Sequence, residues 1–295
     1  MQNVELKRMN TCSFQNVIDA WNEGFQGYFV EMTLTLEQLL ARIIAEGILL
    51  EFSFIAFVDD RPVGFLFNGI REVSSRKRAW NGGTAVVSEF RGKGIGRLLV
   101  NAAVEMYTSE GVNLATLEAI SSNYAAIALY ESCGYQVIDE LTFLQTELKI
   151  DDFPTTRSYS VRQVHPAVVG SLDFYNDECS WQGHWMSVVL NHGEALVVLD
   201  EQDNPVGYAL SKKRFDDAGQ FVSIALYQCE VSPNRHDKDQ IIATALNAAF
   251  VPAAGPCLRR TNNLSESNRT VVGLLEKAGF TTFIEQVHMS LKLLR

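Results

Sequence analysis

The 295-residue sequence predicts an α/β protein built from two tandem copies of one domain, each a mixed, mostly antiparallel sheet flanked by helices. Three observations lead there. The length suits two domains of about 150 residues each. Strand-like and helix-like stretches alternate through the first half. Near the end of each half, residues recur at one spacing: Asn123, Glu131, Gly134 and Tyr135 are answered by Asn268, Glu276, Gly279 and Phe280, each 145 positions later.

Residues 4–9 are expected as a short strand, with a helix from Thr11 to about Glu23. Thr35 resembles an N-cap, Leu36, Leu39, Leu40, Ile43 and Ile44 then repeat at helical spacing, and Gly47 ends the element. Residues 51–58 are aromatic and β-branched, and Asp59-Asp60-Arg61-Pro62 carries hairpin-turn chemistry toward a partner strand from Val63 to about Ile70. Strands at 80–88 and 112–120 bracket a helix at 96–109, where Leu98, Leu99, Ala102, Ala103 and Met106 form an apolar stripe. A helix at about 123–133 precedes a final pair of strands. Arg76-Lys77-Arg78 is expected in a solvated β-turn.

The periodicity breaks at 149–158, which divides the chain into domains 1–150 and 151–295. Beyond the break the pattern restarts: Asp60-Arg61-Pro62-Val63-Gly64-Phe65 is echoed by Asp203-Asn204-Pro205-Val206-Gly207-Tyr208.

The net charge is −10, split as −6 and −4 between residues 1–150 and 151–295, so neither half is a basic module. Such a surface repels nucleic acid and anionic lipid, and neither is expected as a partner. No apolar run approaches the roughly 18 residues of a membrane span, and charged Glu5, Lys7 and Arg8 argue against a signal peptide. Five scattered cysteines without a C-x-x-C pair suit a reducing cytoplasm rather than a disulfide framework or a zinc site, and no metal is expected. A polyanion would therefore need a local cluster of cations.

Val86-Val87-Ser88-Glu89-Phe90-Arg91-Gly92-Lys93-Gly94-Ile95-Gly96-Arg97 offers one. A strand enters a glycine-rich loop that opens a helix. Consecutive amides in such a loop form an anion-binding nest, and the helix start adds free N–H groups. Arg91, Lys93 and Arg97 add positive charge; a tight turn with solvated cations is the plainer alternative. The P-loop pattern fails because Lys93 lies inside the glycine run with no Lys-Ser/Thr pair after it. The dinucleotide fingerprint fails because Leu99 stands where its third glycine would fall.

The sequence resembles the GCN5-related N-acetyltransferases (GNAT). Arg91, Gly94 and Gly96 match that family's [QR]-x-x-G-x-[GA] loop. Leu117-Glu118-Ala119, Asn123 and Tyr130-Glu131-Ser132-Cys133-Gly134-Tyr135 match its strand, asparagine and Tyr-Glu-x-x-Gly-aromatic marker. The resemblance covers about residues 1–148. It implies acetyl-CoA as co-substrate, with pantetheine pairing to backbone near Val86 and Val87. The pyrophosphate would lie on the amides of Gly92, Lys93, Gly94, Ile95, Gly96 and Arg97, and Asn123 would approach the pantetheine arm. A helix N-cap is the other reading of Asn123.

Acetyl transfer to an amine requires a base for the ammonium and a proton donor for the leaving thiolate. The resemblance places Tyr130 as that donor, against the plainer role of a packed aromatic. Glu118, in the apolar run Leu114–Ile120, is the base candidate, against a salt-bridged cleft-edge glutamate; Glu89 and Glu31 are weaker ones. The acceptor is expected to be the primary amine of a small molecule or peptide, met by Trp21, Phe25, Tyr28, Phe29, Met32 and residues 141–148. Core packing is the other reading of those aromatics.

The second half is expected as a degenerate copy that does not bind acetyl-CoA. At the 145-residue offset Arg91, Gly94 and Gly96 become His236, Asp239 and Ile241, and Tyr130 becomes Leu275. A different functional class stays open at this point: a non-catalytic module that senses acyl-CoA or presents its second half to a partner. The sequence does not specify an oligomeric state.

Overall fold

Capping chemistry sets the early helices. Ser13 and Thr35 each close a capping box, their side chains accepting from Asn16 and Gln38 amides, so α1 runs Phe14–Gly24 and α2 Leu36–Glu46. Gly47, at φ 67°, ends α2 in the left-handed conformation. The computed structural model describes residues 3–73, 75–157, 159–251 and 257–293. Around these helices lie β1 (Val4–Arg8), β2 (Phe54–Val58), β3 (Arg61–Val73), β4 (Arg76–Val86), α3 (Ile95–Ser109), β5 (Leu114–Ile120), α4 (Tyr124–Ser132) and β6 (Gln136–Thr146). Arg76, Lys77 and Arg78 belong to β4 rather than to a turn, and the Lys77 ammonium donates to the Glu110 carbonyl at 2.8 Å.

The second half continues with β7 (Ser160–Val164), α5 (Pro166–Val169), α6 (Trp185–Leu190), β8 (Glu194–Leu199), β9 (Pro205–Phe215) and β10 (Phe221–Val231). It ends with α7 (Lys238–Phe250), β11 (Leu258–Thr261), β12 (Leu264–Ser265), α8 (Arg269–Lys277) and β13 (Thr281–Lys292). β10, α8 and β13 each begin 145 residues after β4, α4 and β6, which carries the repeat from single residues to whole elements.

Two compact units result, one of Met1–Ile138 with His288–Arg295, the other of Asp139–Val287. This differs from the expected division at residue 150. The first half does not end in a pair of strands. It supplies one long strand, β6, whose Thr142, Gln145 and Thr146 pair with Leu264, Arg260 and Arg259 in the second unit. The end of β13 takes the vacant place beside β5, and the Leu293 amide donates to the Asn113 carbonyl at 3.0 Å. Each unit thus completes its sheet with a strand from the far end of the other sequence half, a swap that a linear periodicity does not encode.

In the first unit the strand order is β1-β2-β3-β4-β5, antiparallel except for the parallel β4–β5 pair. Trp21 packs its ring against Phe25, Phe65 and Phe67, and Leu99, Val100, Ala103 and Met106 of α3 are buried beneath the sheet. In the second unit α7 buries Ile241, Ile242, Leu246 and Phe250 in a core that also takes in Leu144, Ile150 and Phe153. Leu144 and Ile150 lie before the expected boundary, and their burial with Phe153 is what assigns the linker region to the second unit.

Candidate active site

The site of the first unit begins where two strands part. The β4–β5 ladder pairs Arg78 with Leu114, Ala79 with Ala115, Trp80 with Thr116 and Asn81 with Leu117, and stops there. A bulge after Asn81 interrupts the β3 register at the same level. The β5-facing edge of Gly82–Val86 therefore lies outside the ladder, as strand-like pairing with an extended ligand requires. The Val86 carbonyl on this edge already accepts from Nε of Arg91 at 2.8 Å. Val87 offers less than its neighbour: its amide donates to Val63 and its carbonyl accepts from Phe90, both at 2.9 Å.

The loop that follows is exposed at Arg91, Gly92, Lys93 and Gly94. Gly92 (φ 74°) and Gly94 (φ 86°) are left-handed, and a Cβ at either would meet nothing within 4 Å. Backbone conformation, not crowding, is what calls for glycine there. The first helical bond of α3 is Leu98 N–H to the Gly94 carbonyl, so the amides of residues 92–97 have no main-chain acceptor among the described residues. They form the concave array expected of an anion cradle. The cations sit around it in different ways. Arg91 is a brace, its guanidinium also donating to the Gly24 carbonyl at 3.0 Å, while Lys93 lies 4.9 Å over the Phe90 ring and Arg97 reaches Ser132 Oγ at 3.1 Å.

Asn123 is the N-cap of α4, its side chain accepting from the Ala126 amide at 3.3 Å, and it also bonds the Tyr28 hydroxyl. Its cap role is thus realised, and the segment between α1 and α2 is drawn onto the start of α4. Tyr130 is buried about two helix turns further on. Burial pushes its phenol up to about 12, against the hydrogen-bonding influence of Thr84 and Asn81, so the group is a protonated donor at neutral pH.

Glu118 lies deep in the same unit. Oε2 accepts from the Trp80 indole N–H at 2.7 Å, and Oε1 faces His288 Nε2 at 3.9 Å, with 5% and 3% of the Glu118 and His288 side chains exposed. Glu46 of α2 completes the charge cluster. Burial, and then the Glu118 charge, raise its carboxyl to about 7, while Arg42 at 2.9 Å pulls the other way. Sequence reasoning missed both partners. Glu46 lies on an amphipathic helix whose charges look solvated, and His288 stands 170 positions from Glu118.

The remaining candidates divide plainly. Glu89 is an exposed ion-pair partner of Arg61, and the fully exposed Glu31 is held below the usual carboxylate range by Thr33. Trp21 and Phe25 are core residues, whereas Phe29 is 56% exposed. Among the described residues no three His, Cys, Asp or Glu side chains are grouped to hold a metal ion.

In the second unit the β10–β11 ladder ends at Leu226 and Thr261, but the corresponding space is internally satisfied. Asn268 Nδ2 donates to the Cys229 carbonyl at 2.9 Å on the free edge of β10. At the head of α7, Asp237 accepts from Arg235, from Arg157 at 2.9 Å and from the Tyr159 hydroxyl at 2.5 Å. Ile241, in the place of Gly96, is fully buried, and its side chain occupies the space a Cβ on Gly207 would need.

A parted pair of parallel strands leading into a helix start occurs in both units, with a glycine loop in the first, and defines a tandem fold of the acetyltransferase type. The Acetyltransferase (GNAT) family model matches residues 15–135. The chain is similar to N-alpha-acetyltransferase 30 of Schizosaccharomyces pombe, with 31% identity over 87 residues, 29% of this chain and 57% of that protein. It is also similar to the [ribosomal protein bS18]-alanine N-acetyltransferase of Salmonella typhimurium, with 43% identity over 77 residues, 26% of this chain and 49% of that protein. The chain thus spans about half the length of these relatives. A tandem GNAT protein from the clavulanic acid biosynthesis pathway shares the fold along 98% of both chains, with a TM-score of 0.62 at 14% identity. No helix among the described residues is long and apolar enough to cross a membrane.

Proposed function

We propose that the first unit transfers an acetyl group from acetyl-CoA to the primary amine of a small molecule or peptide, by direct attack with both substrates bound. The observation that carries this reading is the array of open amides at 92–97 beside the unpaired edge of β4. Acetyl-CoA supplies an activated acyl group as a thioester. Gly92, Lys93, Gly94, Ile95, Gly96 and Arg97 would hold its pyrophosphate by their amides, and Val86 its pantetheine, bordered by Val87 and Asn123. Arg91 contributes through the loop shape it fixes.

Glu118 accepts the proton that keeps an aliphatic amine unreactive near neutral pH. Tyr130, protonated and buried, donates toward the departing sulfur. Holding amine and thioester together removes much of the entropic barrier, worth up to about 7–11 kcal/mol in well-oriented cases. The names of the two enzyme relatives favour a peptide α-amine among the acceptors. The five free cysteines support a cytoplasmic setting. The second unit, with Asp237 and Asn268 satisfying its own loop and edge, is read as a copy that leaves acetyl-CoA unbound.

The test is release of CoA thiol from acetyl-CoA over a panel of small amines and peptides. Turnover that depends on Tyr130 is expected, and tight acetyl-CoA binding without turnover on any amine would overturn the reading.

A further inference from the structure

We propose that Asn81 is a positioning residue for Tyr130: its side-chain amide, locked in the bulge of β4, donates to the phenol oxygen and leaves the phenol's own hydrogen for the departing sulfur. This rests on the acetyltransferase reading above. Asn81 is 5% exposed and closes the β4–β5 ladder opposite Leu117. Its Oδ1 accepts from the Gly83 amide at 3.1 Å and from the Thr84 hydroxyl at 3.0 Å. A main-chain N–H can only donate, so the atom facing Gly83 is the oxygen, and the amide has a single orientation. Nδ2 is then the end that donates. Against burial, the larger effect, Thr84 and Asn81 both act on the Tyr130 hydroxyl by hydrogen bonding, in the direction that favours its phenolate. The one hydroxyl proton of Thr84 lies on Oδ1, so Asn81 is the standing N–H donor of the group.

The second unit serves as an internal control. At the 145-residue offset Asn81, Thr84 and Tyr130 become Leu226, Cys229 and Leu275, all fully buried in one apolar core. The bulge itself persists. The register of β4 against β3 slips between Asn81 and Gly83, and that of β10 against β9 slips between Leu226 and Gln228. The irregular backbone therefore forms with leucine at this place, and shaping it is not what calls for a buried amide at position 81. The amide stands where the phenol stands and is lost where the phenol is lost. During transfer the C–S bond breaks and its electron pair goes to sulfur, which takes the phenol proton. The phenolate accepts from Asn81 until it is reprotonated. Of the two protons that the acceptor ammonium gives up, one thus ends on the thiol and the other in solvent.

The experiment compares Asn81→Leu and Asn81→Asp with wild type in the full chain, and repeats both changes in a Tyr130→Phe background. Leucine is what the second copy carries at this place, and aspartate keeps both acceptor contacts while removing the N–H donor. Acetyl-CoA binding is followed by calorimetry and turnover by thiol release. Unchanged acetyl-CoA affinity is expected, with kcat about tenfold lower in each variant, the usual worth of a hydrogen bond to a developing charge. In the Tyr130→Phe background the same changes should cost less than about twofold, because the group they act through is gone. If Asn81→Leu fails to fold, Asn81→Asp carries the comparison alone. An equal loss in both backgrounds, or wild-type kcat in the Asn81 variants, would overturn the proposal while leaving the acetyltransferase reading intact. A readout independent of turnover is the 13Cζ resonance of Tyr130. It should move in Asn81→Asp, and its indifference to that change would equally overturn the pairing.

Discussion

Asp237 and Arg235 form a fork-to-fork pair, with Nε and Nη2 of the arginine donating to Oδ1 and Oδ2 at 2.8 Å each. The carboxylate stands at the head of α7, where the first unit presents its open glycine loop. Arg157 and Tyr159 complete its coordination, so the carboxylate adds a paired negative charge where the first unit has Gly92. One acetyl-CoA per chain is the expected calorimetric stoichiometry. A value of two would show that the second loop also binds.

The same pair sets an acid limit. Arg235 and Tyr159 hold the Asp237 carboxyl far below its ordinary value. A depressed carboxyl stabilises the fold above about pH 4 and loses that contribution as pH falls toward its folded-state value. Asp237→Asn should lower the melting temperature at pH 7, by roughly 1–3 kcal/mol of stability, and narrow its gap to wild type on acidification. Melting curves between pH 7 and 3 check this, and a pH-independent gap would contradict it.

Glu46 works in the opposite sense. Its carboxyl, raised to about 7 by burial, favours the folded state below the ordinary glutamate value and withdraws that support as pH rises through 7. Glu46→Gln should therefore gain on wild type between pH 5 and 8, by at most a few kcal/mol. A thermal-shift series across that range reads the trend, and a steady or shrinking difference would exclude a raised carboxyl.

Tyr130→Phe should bind acetyl-CoA as wild type does and lose about a hundredfold in kcat, within the usual worth of a positioned acid. Because the phenol is pushed up to about 12, any alkaline fall in kcat below pH 10 must belong to another group. Stopped-time thiol release resolves both points, and undiminished kcat would remove Tyr130 from the chemistry.

Gly94→Ala isolates the loop. A Cβ there meets nothing within 4 Å, so its cost is the left-handed backbone at φ 86°, about 1–2 kcal/mol. Relaxation away from that conformation turns the amides off the anion, and KM for acetyl-CoA should rise several-fold while the amine KM changes little. Equal rises in both would instead indicate general unfolding of the site.

Much of this was legible in residue order. Thr35 and Gly47 mark α2 because caps are local chemistry, and Gly92 and Gly94 announce a left-handed loop because few other residues adopt it. Tyr130 and Glu118 could be named from a motif, and the internal repeat from one spacing. The sequence by itself determined the elements, the duplication and the first unit's loop, since each depends on residues within a turn or strand of one another. The tertiary structure alone decided which strand closes which sheet, and with it the meeting of His288 with Glu118 and of Glu46 with Glu118. Strand pairing and buried charge are set by distance in space, and a separation of 170 positions leaves no periodic trace of a 3.9 Å approach.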